Sequence, residues 1–316
     1  MPLVIKMPRN QSALAAVGPY PRALNVLDRK QTAVQRQLRR AGLAGYEPST
    51  QATLLAIMQL APRGSAFFDI GAHIGLYSAM VSAIFGSRGH RVYAFEPSPE
   101  TAQICRKLRD INGLDFGVVE KALGREPSEA VLHLSAKAET SNSLNPTFRS
   151  SIGTVTVPVS TVDLFTATHH VDPWLMKIDV ETYEPMVLAG SLQAIERARP
   201  WVICEILDSV DHELLAPVLS DLADLGYTFY RIDDRHPWSS STVDGYRYRI
   251  SGSSRDWLFA PTDLSSDFFK TVRAWSDAIA KCGPETNLLI PGGVPFPEGW
   301  NAPYPRRRWW HLGRRD

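Results

Sequence analysis

The stretch FFDIGAHIGLYS, residues 67–78, constrains the fold more than any other part of this 316-residue chain. A short apolar run stops on a carboxylate, Asp69, passes Gly71 and Gly75, and at once enters a second apolar segment of helical character. A buried strand that ends on an acid and turns through glycines into a helix puts Asp69, Gly71, Ala72 and Gly75 at the carboxyl end of that strand. In an open parallel sheet that edge is where ligands bind, and glycine lets the backbone turn tightly and come close to one.

The rest of the chain repeats the alternation. From residue 65 onward, short apolar runs predict strands at 65–70, 91–96, 116–120, 130–134, 154–159, 173–178, 201–206, 227–232 and 256–260. Helix-length segments at 75–86, 98–111, 183–197 and 211–225 separate them. Such alternation predicts βαβ units and an α/β fold built on a mainly parallel sheet. Ahead of it, residues 1–22 carry Pro2, Pro8, Pro19 and Pro21 and read as an extended arm. Leu24, Leu27, Val34 and Leu38 fall at helical spacing within 23–41, and a second helical run, 50–61, ends at Pro62 and Gly64. The expected organisation is an N-terminal arm and helical cover over 1–64, an α/β domain over 65–262, and a C-terminal helix and Pro/Arg/Trp-rich tail over 263–316. The polar stretch 135–153 reads as a long loop, of the kind that often carries function, with Thr140, Ser141, Asn142 and Ser143 as groups that could close over a ligand.

The bulk properties exclude several classes. The formal net charge is +1, so no global basic field recruits nucleic acid. Cys105, Cys204 and Cys282 are few, odd in number and far apart, which predicts reduced thiols and a cytoplasmic location rather than a disulfide or zinc framework. No apolar run reaches the roughly 18–20 residues of a membrane span, and MPLVIKMPRNQ does not read as a signal peptide.

The next strand, RVYAFEPS, ends on Glu96, about twenty residues past the glycine loop, the spacing of nucleotide-binding βαβ units. A carboxylate there can accept charge-assisted hydrogen bonds from two ribose hydroxyls. Three readings compete. A dinucleotide loop wants G-x-G-x-x-G, whereas here Gly71 and Gly75 bracket Ala72, His73 and Ile74. An ordinary strand-to-helix turn would need no Glu96. S-adenosylmethionine has no phosphate, and an acid-first D-x-G-x-x-x-G loop suits its ribose, adenine and methionine tail.

Four blocks in order, FFDIGAHIGLYS, VYAFEPSPET, LMKIDVETYEPMVLAG and WVICEI, resemble the FkbM family of S-adenosylmethionine-dependent methyltransferases over about residues 46–235. The third block resembles that family's K-I-D-V-E-G-x-E followed by V-L-x-G, with Thr182 where glycine is usual. His73 stands where asparagine is usual. The resemblance implies a Rossmann-like seven-strand methyltransferase sheet, mainly parallel with an antiparallel last strand, which 256–260 fits. It assigns Asp69, Gly71 and Gly75, with Ala72 and His73 between them, to cofactor binding and Glu96 to the ribose. Pro97 and Ser98 then flank the adenosine, and Glu120, Lys121 and Ala122 are candidates for the adenine edge.

The strands WLMKI and WVICEI bring Asp179, Glu181 and Glu205 to one edge. Methyl transfer to oxygen needs a hydroxyl held within a near-attack distance of about 3–3.5 Å. A positioned base adds about 10²–10⁴-fold. Asp179 is the candidate substrate-orienting residue or base, with Glu181 or Glu205 as its support and His212 as a second base candidate. An alternative is a magnesium-type ion (Mg²⁺) held by Asp179, Glu205 and Asp208, which would acidify a bound hydroxyl. Glu184 reads as a helix N-terminal charge, Lys177 as a salt-bridge partner, and His236, beside Trp238, as a residue at the substrate.

The expectation is an O-methyltransferase using S-adenosylmethionine on a hydroxyl of a sugar, glycolipid or polyketide-like metabolite, that is, a small-molecule or glycan acceptor rather than nucleic acid. The rivals are a non-catalytic scaffold on the same fold and a nicotinamide-dependent oxidoreductase. The tail, with Arg306–Arg308, Trp309, Trp310, His311, Arg314 and Arg315, suits stacking on sugars or bases, peripheral contact with an anionic membrane, or packing on its own domain or on a second subunit of a homo-oligomer.

Overall fold

A computed structural model describes residues 3–26, 32–135, 142–148, 150–234, 236–241 and 255–284. In chain order the elements are β1 (Val4–Lys6), α1 (Gln11–Val17), β2 (Ala23–Asn25), α2 (Ala33–Ala41), α3 (Pro48–Leu60), β3 (Ala66–Ile70), α4 (Leu76–Phe85), β4 (Arg91–Phe95), α5 (Pro99–Asn112), β5 (Gly117–Val119), β6 (Ala122–Leu123), β7 (Ser128–Ser135) and β8 (Ser151–Ser160). There follow α6 (Val162–His169), β9 (Pro173–Ile178), α7 (Glu184–Ala189), α8 (Leu192–Ala198), β10 (Trp201–Glu205), α9 (His212–Asp224), β11 (Thr228–Arg231), β12 (Ser240–Ser241), β13 (Asp256–Ala260) and α10 (Ser266–Ile279).

The main sheet runs β5-β4-β3-β9-β10-β13-β11, extended at one edge by the two-residue β12. β5, β4, β3, β9 and β10 are parallel, and β13 is antiparallel to both of its neighbours. This is the expected Rossmann-like methyltransferase sheet, with 256–260 as its antiparallel strand. Within this sheet the chain starts at β3, winds outward through β4 and β5, then crosses back to β9 and β10. The direction of winding reverses between β3 and β9, and a crevice opens outside the carboxyl ends of strands at such a switch point.

Strand alternation explains the two cores. Successive strand residues face opposite sides of the sheet. Phe67, Leu175, Ile203 and Leu258 enter one apolar cluster with α3, α4, α5, α10 and the N-terminal segment. Their neighbours Phe68, Met176, Val202, Cys204, Trp257 and Phe259 enter the other, with α6 through α9. Strands covered on both faces read as unbroken apolar runs, as 67–68 and 201–204 do. α10 lies along α3, where Trp275 Nε1–H donates to Gln59 Oε1 at 2.8 Å.

Several expectations are corrected. The arm 1–22 contains β1 and α1, and Asn10 Oδ1 caps α1 by accepting from the N–H groups of Ser12 and Ala13. The stretch 23–41 is not one helix. It opens as β2, antiparallel to β1, and the helix begins only at Ala33 after Thr32 and Gln35 form a capping box. The run 183–197 is two helices, α7 and α8, separated at Gly190, the C-cap of α7, where an added Cβ would lie 1.9 Å from the Gly124 carbonyl oxygen. The strands at 130–134 and 154–159 exist but leave the main sheet, forming a separate sheet β6-β8-β7 with its own small core of Ala122, Leu132, Val157 and Val159. No helix among the described residues is long and apolar enough to cross a membrane, and all three cysteines are free and buried. The tail 306–315, like Thr140 and Ser141, lies outside the described residues.

Candidate functional site

The crevice between the ends of β3 and β9 holds a cavity of about 330 Å³. Its walls come from the loop after β3, the ends of β4, β9 and β10, the start of β6, the loop between β7 and β8, and the segment joining α2 to α3.

Close backbone approach builds the loop after β3. Gly71 has φ +81°, and a Cβ there would lie 1.8 Å from the Asp179 carbonyl oxygen, so only glycine fits. The N–H groups of Gly71 and Ala72 both donate to Phe95 O at 3.0 Å, and Asp179 N–H donates to Ile70 O at 3.0 Å. Three strand ends are thereby tied together. Asp69 is buried, and its Oδ2 accepts from the Ser78 amide (3.0 Å) and hydroxyl (2.7 Å), which fastens the first turn of α4. Burial raises its pKa, with the Lys177 charge and the Ser78 bonds working against the shift.

Glu96 sits at the end of β4 with both carboxylate oxygens engaged. Oε2 accepts from His73 N–H and Oε1 from Ser98 N–H, each at 2.9 Å. Burial pushes its pKa up to about 7 against those two bonds. An ionised carboxylate oxygen has capacity for more than one donor, so a carboxylate that lines the cavity while bonded to loop amides is already oriented for ligand hydroxyls.

The opposite wall is strongly charged. Lys177 Nζ lies 2.7 Å from Asp179 Oδ2 and 4.9 Å from the centre of the Tyr77 ring. Burial disfavours the Lys177 ammonium, but Asp179, then Glu47, Asp69 and Asp256, overcome it and hold its pKa well above the usual value. Tyr77 O–H donates to Glu47 Oε2 at 2.7 Å. Burial, then Asp256, push the Glu47 pKa up to about 7, while Lys177 and Tyr77 oppose the shift. Glu205 is pushed to about 10, by burial first and then by Asp179, Asp256 and Glu181.

The turn after β9 is strained and pinned. Glu181 and Thr182 have φ +54° and +78°, a region costly for a β-branched residue. Thr182 thus keeps a backbone suited to the glycine usual at this position. Glu184 is fully buried, and its Oε1 accepts from Val180 N–H (3.1 Å) and Thr182 N–H (3.2 Å). Burial pushes its pKa up to about 8. The β7–β8 loop reinforces the turn from above: Ser143 O–H donates to Glu181 O at 2.6 Å and Asn145 Nδ2–H to Thr182 Oγ1 at 2.9 Å.

Of the residues expected from sequence, Asp69, Gly71, Ala72, His73, Glu96 and Pro97 line the cavity on one side and Asp179, Glu181 and Glu205 on the other, with Lys121 and Ala122 at the start of β6. Asn142 and Ser143 also line it. Six candidates do not. Gly75 (φ +78°) packs its backbone against Cys105, whose Sγ would lie 2.4 Å from an added Cβ. Ser98 holds the N-cap position of α5 without a side-chain cap bond, and its amide donates to Glu96. Glu120 pairs with Arg106 at 2.6 Å. Asp208 is exposed in a turn, and His212 opens α9. The proposed Mg²⁺ set of Asp179, Glu205 and Asp208 is therefore not assembled, and the described residues contain no group of three or more metal-ligating side chains. His236 packs against Trp238 and Phe269, away from the cavity lining. Glu184 opens α7 as the expected first-turn acid, but it is buried and also staples the preceding turn, and Lys177 is an ion-pair partner as expected. Tyr46, Glu47 and Tyr77 were not foreseen; the acid before Pro48 at a helix start was the available signal.

A family model for the methyltransferase FkbM domain matches residues 69–229, about half of the chain. No curated protein sequence matched significantly. Among solved structures, methyltransferase FkbM from Methylobacillus flagellatus KT aligns at 18% identity and TM-score 0.41 over 62% of this chain, which spans only 44% of that one. Human methyltransferase-like protein 13 in complex with SAH aligns at 12% identity and TM-score 0.42 over 73% of this chain and 91% of its own. An S-adenosylmethionine-dependent O-methyltransferase from Thermotoga maritima aligns at 11% identity and TM-score 0.38, over 69% and 67%.

Proposed function

The chain belongs to the methyltransferase FkbM family, and from that premise we propose that it transfers a methyl group from S-adenosylmethionine to a hydroxyl of a sugar, glycolipid or polyketide-like metabolite. The observation that carries the cofactor reading is Glu96: a buried carboxylate at the second strand end, bonded through both oxygens to backbone amides and facing a cavity. The residues present fit the cofactor. Gly71 leaves a cradle that a Cβ would fill. Glu96 would hold the ribose, and Lys121 and Ala122, which line the same cavity, would flank the adenine. Asp69 fixes the loop by holding α4. The apolar Leu123, Leu132 and Leu144 line the cavity beside these groups.

When bound, S-adenosylmethionine would supply an electrophilic methyl group to the acceptor oxygen. The chain must align the acceptor and take its proton, because alignment and general base catalysis are what a protein adds to such a displacement. Asp179, fixed by Lys177, is suited to orient the hydroxyl, and Ser143 and Asn142 add polar groups at the same mouth.

The test is calorimetric titration with S-adenosylhomocysteine, with and without magnesium, beside NADH. Micromolar binding that Glu96→Ala removes supports the cofactor site, while binding of NADH in its place overturns it. Transfer of tritiated methyl from S-adenosylmethionine to a panel of glycosides then tests the acceptor class, and labelling of amines or carboxylates instead would overturn the hydroxyl reading.

A further inference from the structure

We propose that Glu47, which lies in the N-terminal segment outside the family-matched span, is the general base that takes the acceptor's proton. The proposal rests on the methyltransferase reading above.

The backbone at Glu47 is unusual. Its φ and ψ are 44° and 52°, the left-handed region, in a residue that is not glycine and that precedes Pro48. Proline disfavours helical backbone in the residue before it, and a side chain in left-handed conformation costs energy that the surroundings must offset. Glu47 also takes the N-cap position of α3 but makes no side-chain cap bond there. Its carboxylate turns instead into the cavity, where it accepts the Tyr77 hydroxyl. Tyr77 leans its ring on Lys177, and Lys177 holds Asp179. One connected chain of groups thus reaches from the cover segment to the sheet edge.

Charge separates Glu47 from the other carboxylates of that wall. Asp179 is committed to Lys177 at 2.7 Å, so its carboxylate already serves the buried ammonium. Glu205, pushed to about 10 by burial and by Asp179, Asp256 and Glu181, already holds a proton at neutral pH and has no vacancy for another. Glu47 faces Asp256 from β13, Lys177 from β9, Asp179 just after β9, Tyr77 from α4 and its neighbour Tyr46, and their balance with burial leaves it near 7. A base near the working pH is the most effective kind.

In the step itself the acceptor oxygen forms a bond to the methyl carbon, the carbon–sulfur bond breaks with its electrons going to sulfur, and the oxygen's proton passes to Glu47. The carboxylate becomes a carboxylic acid and the cofactor a neutral thioether.

The test needs no identified acceptor. Sinefungin carries an ammonium where S-adenosylmethionine carries its methyl sulfonium, whereas S-adenosylhomocysteine carries nothing there. Calorimetry compares the two ligands on the full chain from about pH 6 to pH 8. A carboxylate at the acceptor position predicts sinefungin binding about 10-fold tighter than S-adenosylhomocysteine at the upper pH, shrinking toward parity at the lower. Glu47→Gln keeps the shape and the Tyr77 partner. It should abolish the preference while leaving S-adenosylhomocysteine affinity within about threefold of wild type. Tyr77→Phe removes a donor that stabilises the anion and should move the midpoint of the preference to higher pH. A preference that survives Glu47→Gln, a parallel loss of S-adenosylhomocysteine affinity in that variant, or no preference in wild type overturns the proposal. Failure of wild type to bind S-adenosylhomocysteine at all overturns the cofactor reading beneath it, a separate and recognisable result.

Discussion

Lys177 Nζ and Asp179 Oδ2 are 2.7 Å apart at the end of the central β9, and the two partners are not equivalent. Lys177 is the cation that Asp179, Glu47, Asp69 and Asp256 all act on. Removing the lysine leaves several carboxylates without their common counter-charge, whereas removing Asp179 leaves the lysine with three others. Lys177→Met is expected to cost about 3–5 kcal/mol, the range for breaking a buried pair, and Asp179→Asn distinctly less. Chemical denaturation of both variants checks the order. Equal losses would mean the pair acts alone.

Gly71→Ala should be worse than a change of one methyl suggests. The backbone has φ +81°, and the new Cβ would meet the Asp179 carbonyl oxygen at 1.8 Å, a backbone atom that cannot swing away. Strain of about 1–3 kcal/mol from the left-handed conformation adds to the displacement of the β9 end. Lower thermal stability together with loss of S-adenosylhomocysteine binding is expected. Gly64→Ala shares a positive φ (+78°) but has open space around it, so it should show the backbone cost alone.

Which parts of this arrangement were legible follows from what is local. Asp69, Gly71 and Glu96 announce themselves because a strand end, a glycine turn and the next strand end are fixed by short-range pattern. β7 and β8 read correctly as strands, but alternation of Leu132, Val157 and Val159 says only that one face is buried, not which sheet they join. Asp208 and His212 follow Glu205 closely in sequence, yet Asp211 caps α9 there and the chain leaves the sheet edge with them. Glu47 and Tyr77 were illegible because their meeting depends on α3 folding back over the sheet. That fold is held by contacts such as Thr50 to Asp256 and Trp275 to Gln59, each more than 200 residues apart.

Glu184 predicts a pH dependence of stability. Its carboxyl titrates at about 8 in the folded chain because it is buried, against 4.5 when exposed. The folded state therefore holds the proton more tightly than the unfolded state. The resulting stability is complete below about pH 4.5 and is lost as pH rises toward 8. Glu184→Gln retains an oxygen for the Val180 and Thr182 amides and cannot ionise. Thermal melts between those pH values should fall less steeply for the variant than for wild type, and identical slopes would remove Glu184 from the account.

Glu96 supports the last prediction, which concerns affinity. Each oxygen accepts a backbone N–H, from His73 and Ser98, so a glutamine there must turn its NH₂ toward one of these donors. Leaving one buried amide without an acceptor costs about 1–3 kcal/mol, so Glu96→Gln should weaken S-adenosylhomocysteine binding nearly as much as Glu96→Ala. The wild-type carboxyl, at about 7 when the site is empty, must be ionised to receive hydroxyl donors beyond those two amides. Ligand binding favours the anion and pulls the pKa down, so affinity should rise as pH increases through 7. Calorimetry on either side of that value checks the sign: affinity independent of pH, or higher in acid, would mean that Glu96 does not meet the ligand as a carboxylate.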